Sequence, residues 1–501
     1  MLSQAASNRL LSIHRVISLV FCLLISWSLW TGILAFYADF VRPWMTPALA
    51  AAVIQPPPDA VDSLRHVAAR HAVGAQWTMM APNPLRPFFI FSGRFGETAP
   101  LTNLVVNPGA DVMVPWNGVL TDTLFRRLHT DLLLPKPYGR FLMGLAGILI
   151  VLLVGTGLFI HGKLIREAWS WRRRSRLLDL SDAHKRFGFW LIPYLFVMGL
   201  TGGILGLKVA SLPLDAVLQT GGNPAALRAL MSDDEPGKAS VDAAGGVPAG
   251  FARCLDRFAE RFPDARVGRI QRQGDRLMVE GIPHGRLTWA GEGAGSLRAD
   301  CSLSDGALGP ARDARDGGWA GVVESALRPL HYARFGGTTT ALVYCLLGVL
   351  CLWIVDSGMK LLWLRGEKGR DGRIPWSMRL FAANNALYIL LPLVLLTDNL
   401  VSGATRPWLV WSVAAAAILL HLLPALDRLR PALSRVALPV LAVAYAGLPL
   451  LRLALFPSAP WLGCAPVMVV DATAWLFAGW LFAVAWRQRR VVVGALAGET
   501  A

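Results

Sequence analysis

Nine histidines are spread through the chain, and five of them, His14, His129, His161, His184 and His331, fall at the ends of long apolar runs. Imidazole titrates at about 6.5, and its neutral form keeps one nitrogen lone pair, so it suits metal ligation near neutral pH. A neutral imidazole on a helix in apolar surroundings is a standard axial ligand of haem iron. Two from different helices at one depth clamp a b-type haem without covalent attachment. No C-x-x-C-H for covalent haem attachment is present, and no C-x-x-C, P-loop or H-E-x-x-H; "GTGLFIHG" imitates dinucleotide-binding glycines but closes an apolar run. The histidine spacing permits two stacked haems and gives no basis for ATP, NAD or a catalytic zinc.

Such ligands need helices to carry them. With 54% hydrophobic and 16% charged residues over 501 positions and a mean hydropathy of +0.46, the composition describes an α-helical polytopic membrane protein in a lipid bilayer. Uncharged runs predict about eight transmembrane helices: Val16–Ala38, Phe141–Ile160, Phe187–Leu207, Thr338–Leu364, Leu380–Thr397, Pro407–Leu423, Val436–Leu451 and Trp461–Trp486. His14, His161 and His184 then lie at one boundary, and His129 and His331 at the other. With a bilayer core roughly 30 Å thick, one haem near each face would divide an electron's crossing into shorter steps.

Charge alternates between the spans: Lys163–Arg186 holds eight Lys or Arg against three acids, whereas the link after the fifth span offers only Asp398 and Arg406. By the positive-inside rule the 163–186 loop, Arg9, Arg15, "RGEKGRDGR", "DRLRPALSR" and "RQRR" are cytoplasmic, with both termini inside. This bias accounts for the net charge of +16, so no nucleic-acid partner is implied. The first apolar run exceeds the ~7–15 residues of a signal-peptide core and reads as an uncleaved helix.

The resulting organisation is an N-terminal tail and first span (1–38), an exported segment (39–138), two spans around a basic loop (139–207), a second exported segment (208–336), a fourth span (337–365) and a four-helix extension (366–501). Both exported segments are too long for ordinary loops and should fold as small domains. In the second, an amphipathic helix through Phe251, Cys254, Leu255, Phe258 and Phe262 precedes expected strands Ala265–Gln271, Arg276–Glu280 and Gly285–Ala290. The first has a helix near Val61–Val73, then strand-like "AQWTMMAP" and "PFFIFSG", as a degenerate copy of the same unit would. A disulfide between Cys254 and Cys301 is chemically allowed there if the helix geometry brings them together.

The histidine contexts repeat: "LLSIHRVISL", "RRLHTDLLL", "DAHKRFGFWLIP" and "RPLHYARFGG" each lead into one of the first four spans. With "TGILAFYADFVRPWM", "GTGLFIHGKLIREAWSWRRRSR" and the helix-strand unit before "LHYARFGG", these boxes resemble the PepSY-associated transmembrane helix family over residues 1 to about 365. That family includes inner-membrane ferrisiderophore reductases of Gram-negative bacteria, whose b-haems carry electrons to periplasmic iron(III) chelates. The resemblance implies small α+β PepSY-like periplasmic domains, with residues 250–300 shaping a chelate-docking surface. It also implies a haem between His14 and His184 on the cytoplasmic side and one between His129 and His331 on the periplasmic side. His161 competes for the inner site or serves a propionate. A ferric siderophore or other iron(III) chelate would be the acceptor, and a quinol or cytoplasmic reductant the donor.

The four-helix extension lies outside the resemblance, and the fourth span carries Asp356 with Lys360 one turn away, able to pair. Asp356, Asn384, Asn385, His421 and Asp471 suit a quinol or proton site, but helix-to-helix packing is the commoner use of such residues. His66 and His71 are expected on a solvated helix, and His284 at a turn. A non-redox reading also stands: a membrane protein whose PepSY-like domains bind peptides or restrain a partner protease, with histidines as interface residues. The number of spans alone suggests a transporter, without the interrupted-helix repeat such a site needs.

Overall fold

The computed structural model describes residues 3–84, 86–95, 100–116, 121–160, 169, 175–220, 247–287, 297–333, 335–366, 376–402, 406–458 and 463–498. Its helices in chain order are α1 (Gln4–Val20), α2 (Cys22–Met45), α3 (Pro47–Val53), α4 (Ala60–Ala68), α5 (Thr121–Asp131), α6 (Lys136–Ile160), α7 (Arg176–Trp190) and α8 (Ile192–Thr220). Then follow α9 (Phe251–Arg261), α10 (Gly318–Tyr332), α11 (Gly337–Gly366), α12 (Trp376–Ser402), α13 (Pro407–Leu422), α14 (Arg430–Leu455) and α15 (Ala465–Gly498). The strands are β1 (Gln76–Met80), β2 (Phe89–Gly93), β3 (Thr102–Asn107), β4 (Val112–Pro115), β5 (Ala265–Gln273), β6 (Arg276–Pro283), β7 (Leu297–Ser302) and β8 (Leu308–Arg312). Two compact units result: a helical unit of Met1–Met45, Val119–Gly206 and Tyr344–Ala501, and a sheet unit of Thr46–Gly118 and Leu207–Val343.

In the helical unit, six helices among the described residues are long and apolar enough to cross a membrane: Cys22–Met45, Tyr138–Ile160, Gly337–Arg365, Trp376–Ser402, Ala432–Leu455 and Ala465–Gln488. Leu177–Trp190 and Ile192–Leu207 together would make a seventh, bent by 61°. The bend has a sequence cause. Pro193 lacks the N–H that would bond the Phe189 carbonyl, so the helix stops at Leu191 and restarts. The expected sixth span is the shorter Pro407–Leu422; its 16 residues rise only about 24 Å. The expected first span also differs, because α1 ends before Phe21 and α2 runs on to Met45.

Glycines let α6 and α8 cross closely. A Cβ at Gly147 would lie 2.5 Å from the Gly203 nitrogen, and one at Gly206 would lie 2.6 Å from Gly144 Cα, the small-residue contact by which membrane helices pack. The last helices join through buried charge: Arg452 Nη2 donates to Asp471 Oδ2 at 3.3 Å, and Trp44 Nε1 of α2 donates to Oδ1 at 2.6 Å. Lys360, one turn from Asp356 and able to pair with it, also holds its ammonium over the Phe381 ring at 4.7 Å.

In the sheet unit all eight strands form one antiparallel sheet in the order β4-β3-β2-β1-β5-β6-β7-β8. Two helix-plus-meander halves, α4 with β1–β4 and α9 with β5–β8, join along β1 and β5 with Trp77 opposite Arg272 and Met79 opposite Ile270. One face packs Leu64 and Val67 of α4 and Phe251 and Phe258 of α9 against Trp77, Met79, Phe91 and Ile270. On the other face Leu49 and Ala52 of α3 cover Ile90 and Val105. Cys254 and Cys301 are bonded, tying α9 to β7. The expected strand Gly285–Ala290 begins instead as a turn at Gly285 (φ +71°), since β6 continues through Pro283 and His284 N donates to Asp264 O; residues 288–290 lie outside the described residues. Strands β3, β4, β7 and β8 were not expected from the sequence.

Candidate functional site

The helical unit contains a partly open cavity of about 430 Å³ between α1, α2, α6, α7, α8 and α11. Its lining follows helical spacing: His14, Ser18, Cys22, Ile25 and Leu29 form one continuous face across α1 and α2, and Ile150, Leu153, Val154 and Gly157 form one face of α6. Ser181, His184, Lys185 and Gly188 do the same on α7, opposite Ile354, Val355, Gly358 and Arg365 of α11. The walls are thus mainly aliphatic, with two imidazoles and three cations, Arg15, Lys185 and Arg365. Arg365 is itself held, its Nη2 donating to Ser181 Oγ at 2.8 Å.

Each cavity imidazole is gripped through Nδ1. His14 Nδ1 lies 2.9 Å from Thr156 Oγ1, and His184 Nδ1 lies 2.8 Å from Ser357 Oγ. The next residue in each case is glycine, and the imidazole passes close beside it: a Cβ would stand 3.7 Å from His14 Cε1 at Gly157 and 3.3 Å from His184 Cε1 at Gly358. With Nδ1 of each ring against a hydroxyl, Nε2 is the nitrogen through which each ring would reach a metal.

His129 belongs to a different place in the same unit. It stands on α5, which buries Leu124, Phe125 and Leu128 and is held to α2 by an ion pair of Arg126 with Asp39 and by Arg42 Nη2 donating to Thr123 Oγ1 at 3.4 Å. The helix ends in a tight turn where Leu132 (φ 54°) and Leu133 (φ 57°) are left-handed, and a Cβ at Gly139 would fall 1.8 Å from the Asp131 carbonyl oxygen. His129 Nδ1 lies 3.3 Å from Thr31 Oγ1, again beside a glycine, Gly32. Burial pushes its imidazole down to about 4, so the ring is neutral. Roughly 25 Å of helical rise separates Thr31 from His14 along α1 and α2, giving imidazoles at two levels.

The structure therefore brings His14 and His184 to one cavity and sets His129 apart from them. His331 is buried on α10 in the sheet unit, and His161 lies outside the described residues. His421 points its Nδ1 at the Ala417 carbonyl of its own helix at 2.8 Å. His66 sits by Asp111 and Arg70 on α4, and His71 stacks on Phe95. Asn384 donates to Ser26 and Asn385 to its own helix carbonyl at Phe381, so with Asp471 they join or brace helices. Among the described residues no group of three or more His, Cys, Asp or Glu could cage a metal. The hydroxyls Thr31, Thr156 and Ser357 were not anticipated, though each precedes a glycine inside an apolar run, a signal readable once histidine partners are sought.

The sequence model of the family described as PepSY-associated TM region matches residues 11–365. The match contains all five candidate histidines and stops within α11, leaving α12–α15 beyond it. An uncharacterized protein of Pseudomonas aeruginosa is 29% identical over 409 residues, which cover 73% of this chain and 95% of the relative.

Proposed function

Because the chain belongs to the family of the PepSY-associated TM region and is a multi-pass membrane protein, we propose that it carries b-haem and reduces iron(III)-siderophore chelates. The site would face the periplasm across the bacterial inner membrane. In this reading the chain spans the membrane about eight times, with both termini inside and the sheet unit exported as PepSY-like domains. The observation that carries it is the cavity shared by His14 and His184.

The residues present fit a b-haem. The two imidazoles would supply nitrogen ligands, the aliphatic side chains would lie against the macrocycle, and Arg15, Lys185 and Arg365 would meet its propionates. When bound, the haem supplies reversible one-electron transfer at its iron. His14 and His184 would hold and orient it, the three cations would neutralise its carboxylates, and Ile25, Leu153, Val154 and Ile354 would exclude water and lower the local dielectric. His129 is a proposed ligand toward the other face. The electron donor is a membrane quinol or a cytoplasmic reductant. The acceptor is a chelated iron(III), which as iron(II) binds siderophores weakly and is released.

The visible spectrum of detergent-purified protein, oxidised and dithionite-reduced, with pyridine haemochrome quantification, tests this. About two b-haems per chain with sharp low-spin reduced bands are expected, and His14→Ala or His184→Ala should remove one and spare the other. A colourless protein that takes up no added haem overturns the proposal and favours the PepSY-like binding module.

A further inference from the structure

Three histidines of the helical unit meet the same two-residue element on a facing helix. His129 meets Thr31–Gly32, His14 meets Thr156–Gly157 and His184 meets Ser357–Gly358. The three come from three different helices, α5, α1 and α7, and the elements from three others, α2, α6 and α11. The dipeptide recurs at Thr201–Gly202 of α8, where Thr201 Oγ1 donates to Val197 O at 2.6 Å.

The protons on these hydroxyls can be located by counting. A hydroxyl has one hydrogen to donate and two lone pairs to accept with. Thr31 Oγ1 donates to the Trp27 carbonyl at 2.7 Å, Thr156 Oγ1 to Leu152 at 2.8 Å and Ser357 Oγ to Ile354 at 2.8 Å. Each hydrogen is thus committed to the hydroxyl's own helix, the usual back-bond of a helical Ser or Thr. With that hydrogen on the helix carbonyl a lone pair faces the imidazole, which then donates through Nδ1. In that arrangement Nδ1 of His14 and of His184 carries the proton and Nε2 the lone pair, while the His129 ring also hydrogen-bonds the Ser28 backbone.

We infer that each Ser/Thr–Gly dipeptide is a positioning element that fixes the Nε2-ligating tautomer and sets the electron affinity of the iron it serves. The glycine belongs to the device, because it lets the ring lie against the helix at the depth where the hydroxyl reaches Nδ1; a Cβ at Gly32 or Gly358 would stand 3.3 Å from the ring. The choice of acceptor has a redox consequence. A ligating histidine commonly gives its other N–H to a carboxylate or carbonyl, which makes the ring more basic. A back-bonded neutral hydroxyl is a weaker acceptor and leaves iron(III) less favoured, so the potential is held higher than a carboxylate would hold it.

This rests on the haem reading, and the test separates the two. Full-length Thr156→Val, Ser357→Ala, Ser357→Asp and the conservative Thr156→Ser are purified in detergent, and haem content, low-spin EPR signals and midpoint potentials are measured. Thr156→Val and Ser357→Ala should weaken iron(III)-haem retention about tenfold more than iron(II)-haem retention. That raises the inner-centre potential by about 59 mV for a one-electron couple. Ser357→Asp should move it the other way, and Thr156→Ser should restore the wild-type value. A purely structural role would give the same loss of haem in every variant and no opposed shifts. Wild-type protein that binds haem while all four variants keep its potential and retention overturns the inference alone; a colourless wild type overturns the haem reading and the inference with it.

Discussion

Replacing Asp471 with alanine separates the two roles open to the last four helices, structural packing and proton or quinol chemistry. Asp471 is 2% exposed and accepts from Arg452, 1% exposed, and from Trp44 of α2. Its removal leaves a guanidinium inside the helical unit without this carboxylate, at a cost of about 3–5 kcal/mol, and the Trp44 indole N–H without this acceptor, at about 1 kcal/mol or more. Membrane hydrogen bonds average only ~0.6 kcal/mol because the unfolded state in lipid also finds partners, so the net loss expected is about 3–5 kcal/mol. It can be read from SDS-induced unfolding in mixed micelles, followed by tryptophan fluorescence. Arg452→Met with Asp471→Leu removes both charges and should return stability to within about 1 kcal/mol of wild type. If the pair only joins α14, α15 and α2, that double variant keeps haem content and the rate of haem reduction by quinol. Asp471→Ala protein as stable as wild type would refute the burial argument. A stable double variant that quinol no longer reduces would refute the packing role.

Gly147→Ala should destabilise the helical unit by about 2–3 kcal/mol, because its Cβ would enter the backbone of α8, whereas Gly155→Ala, with nothing within 4 Å, should be neutral or stabilising by up to ~1 kcal/mol. The same micelle unfolding assay compares them. Cys254→Ser with Cys301→Ser opens a bridge of sequence separation 47, for which chain entropy gives about 4 kcal/mol. Faster proteolysis of the sheet unit in the full-length variant, with unchanged haem content, is the expected result.

Much of the helical unit is legible in the sequence because span length and loop charge act locally: apolar runs mark the helices, and Pro193 marks the bend. The histidine boxes are legible for the same reason, since each stands where polarity changes. Strands β1, β2, β5 and β6 announce themselves by alternation, but β3 and β7 make sense only through their neighbours. The joining pair β1–β5 links residues far apart in the chain, which no local pattern records. Asp356 and Lys360 illustrate the limit from the other direction. Their one-turn spacing makes a possible pair legible, but not the ring from α12 that also meets the ammonium.

The same limit explains why the hydroxyls beside the histidines went unnoticed. A Thr–Gly or Ser–Gly dipeptide in an apolar run reads as ordinary small-residue packing, as it is between α6 and α8. Its second use depends on a histidine 142, 173 or 98 residues away. That dependence bears on the competing non-redox reading. A histidine kept only as a boundary residue gains most by reaching headgroups or water, and needs no buried hydroxyl to choose its tautomer. His14 and His184 instead line one cavity from different helices, each with Nδ1 on a back-bonded hydroxyl and three cations along the same walls. An interface role accounts for none of these features together, whereas the proposed ligation of an anionic, largely apolar macrocycle would use all of them.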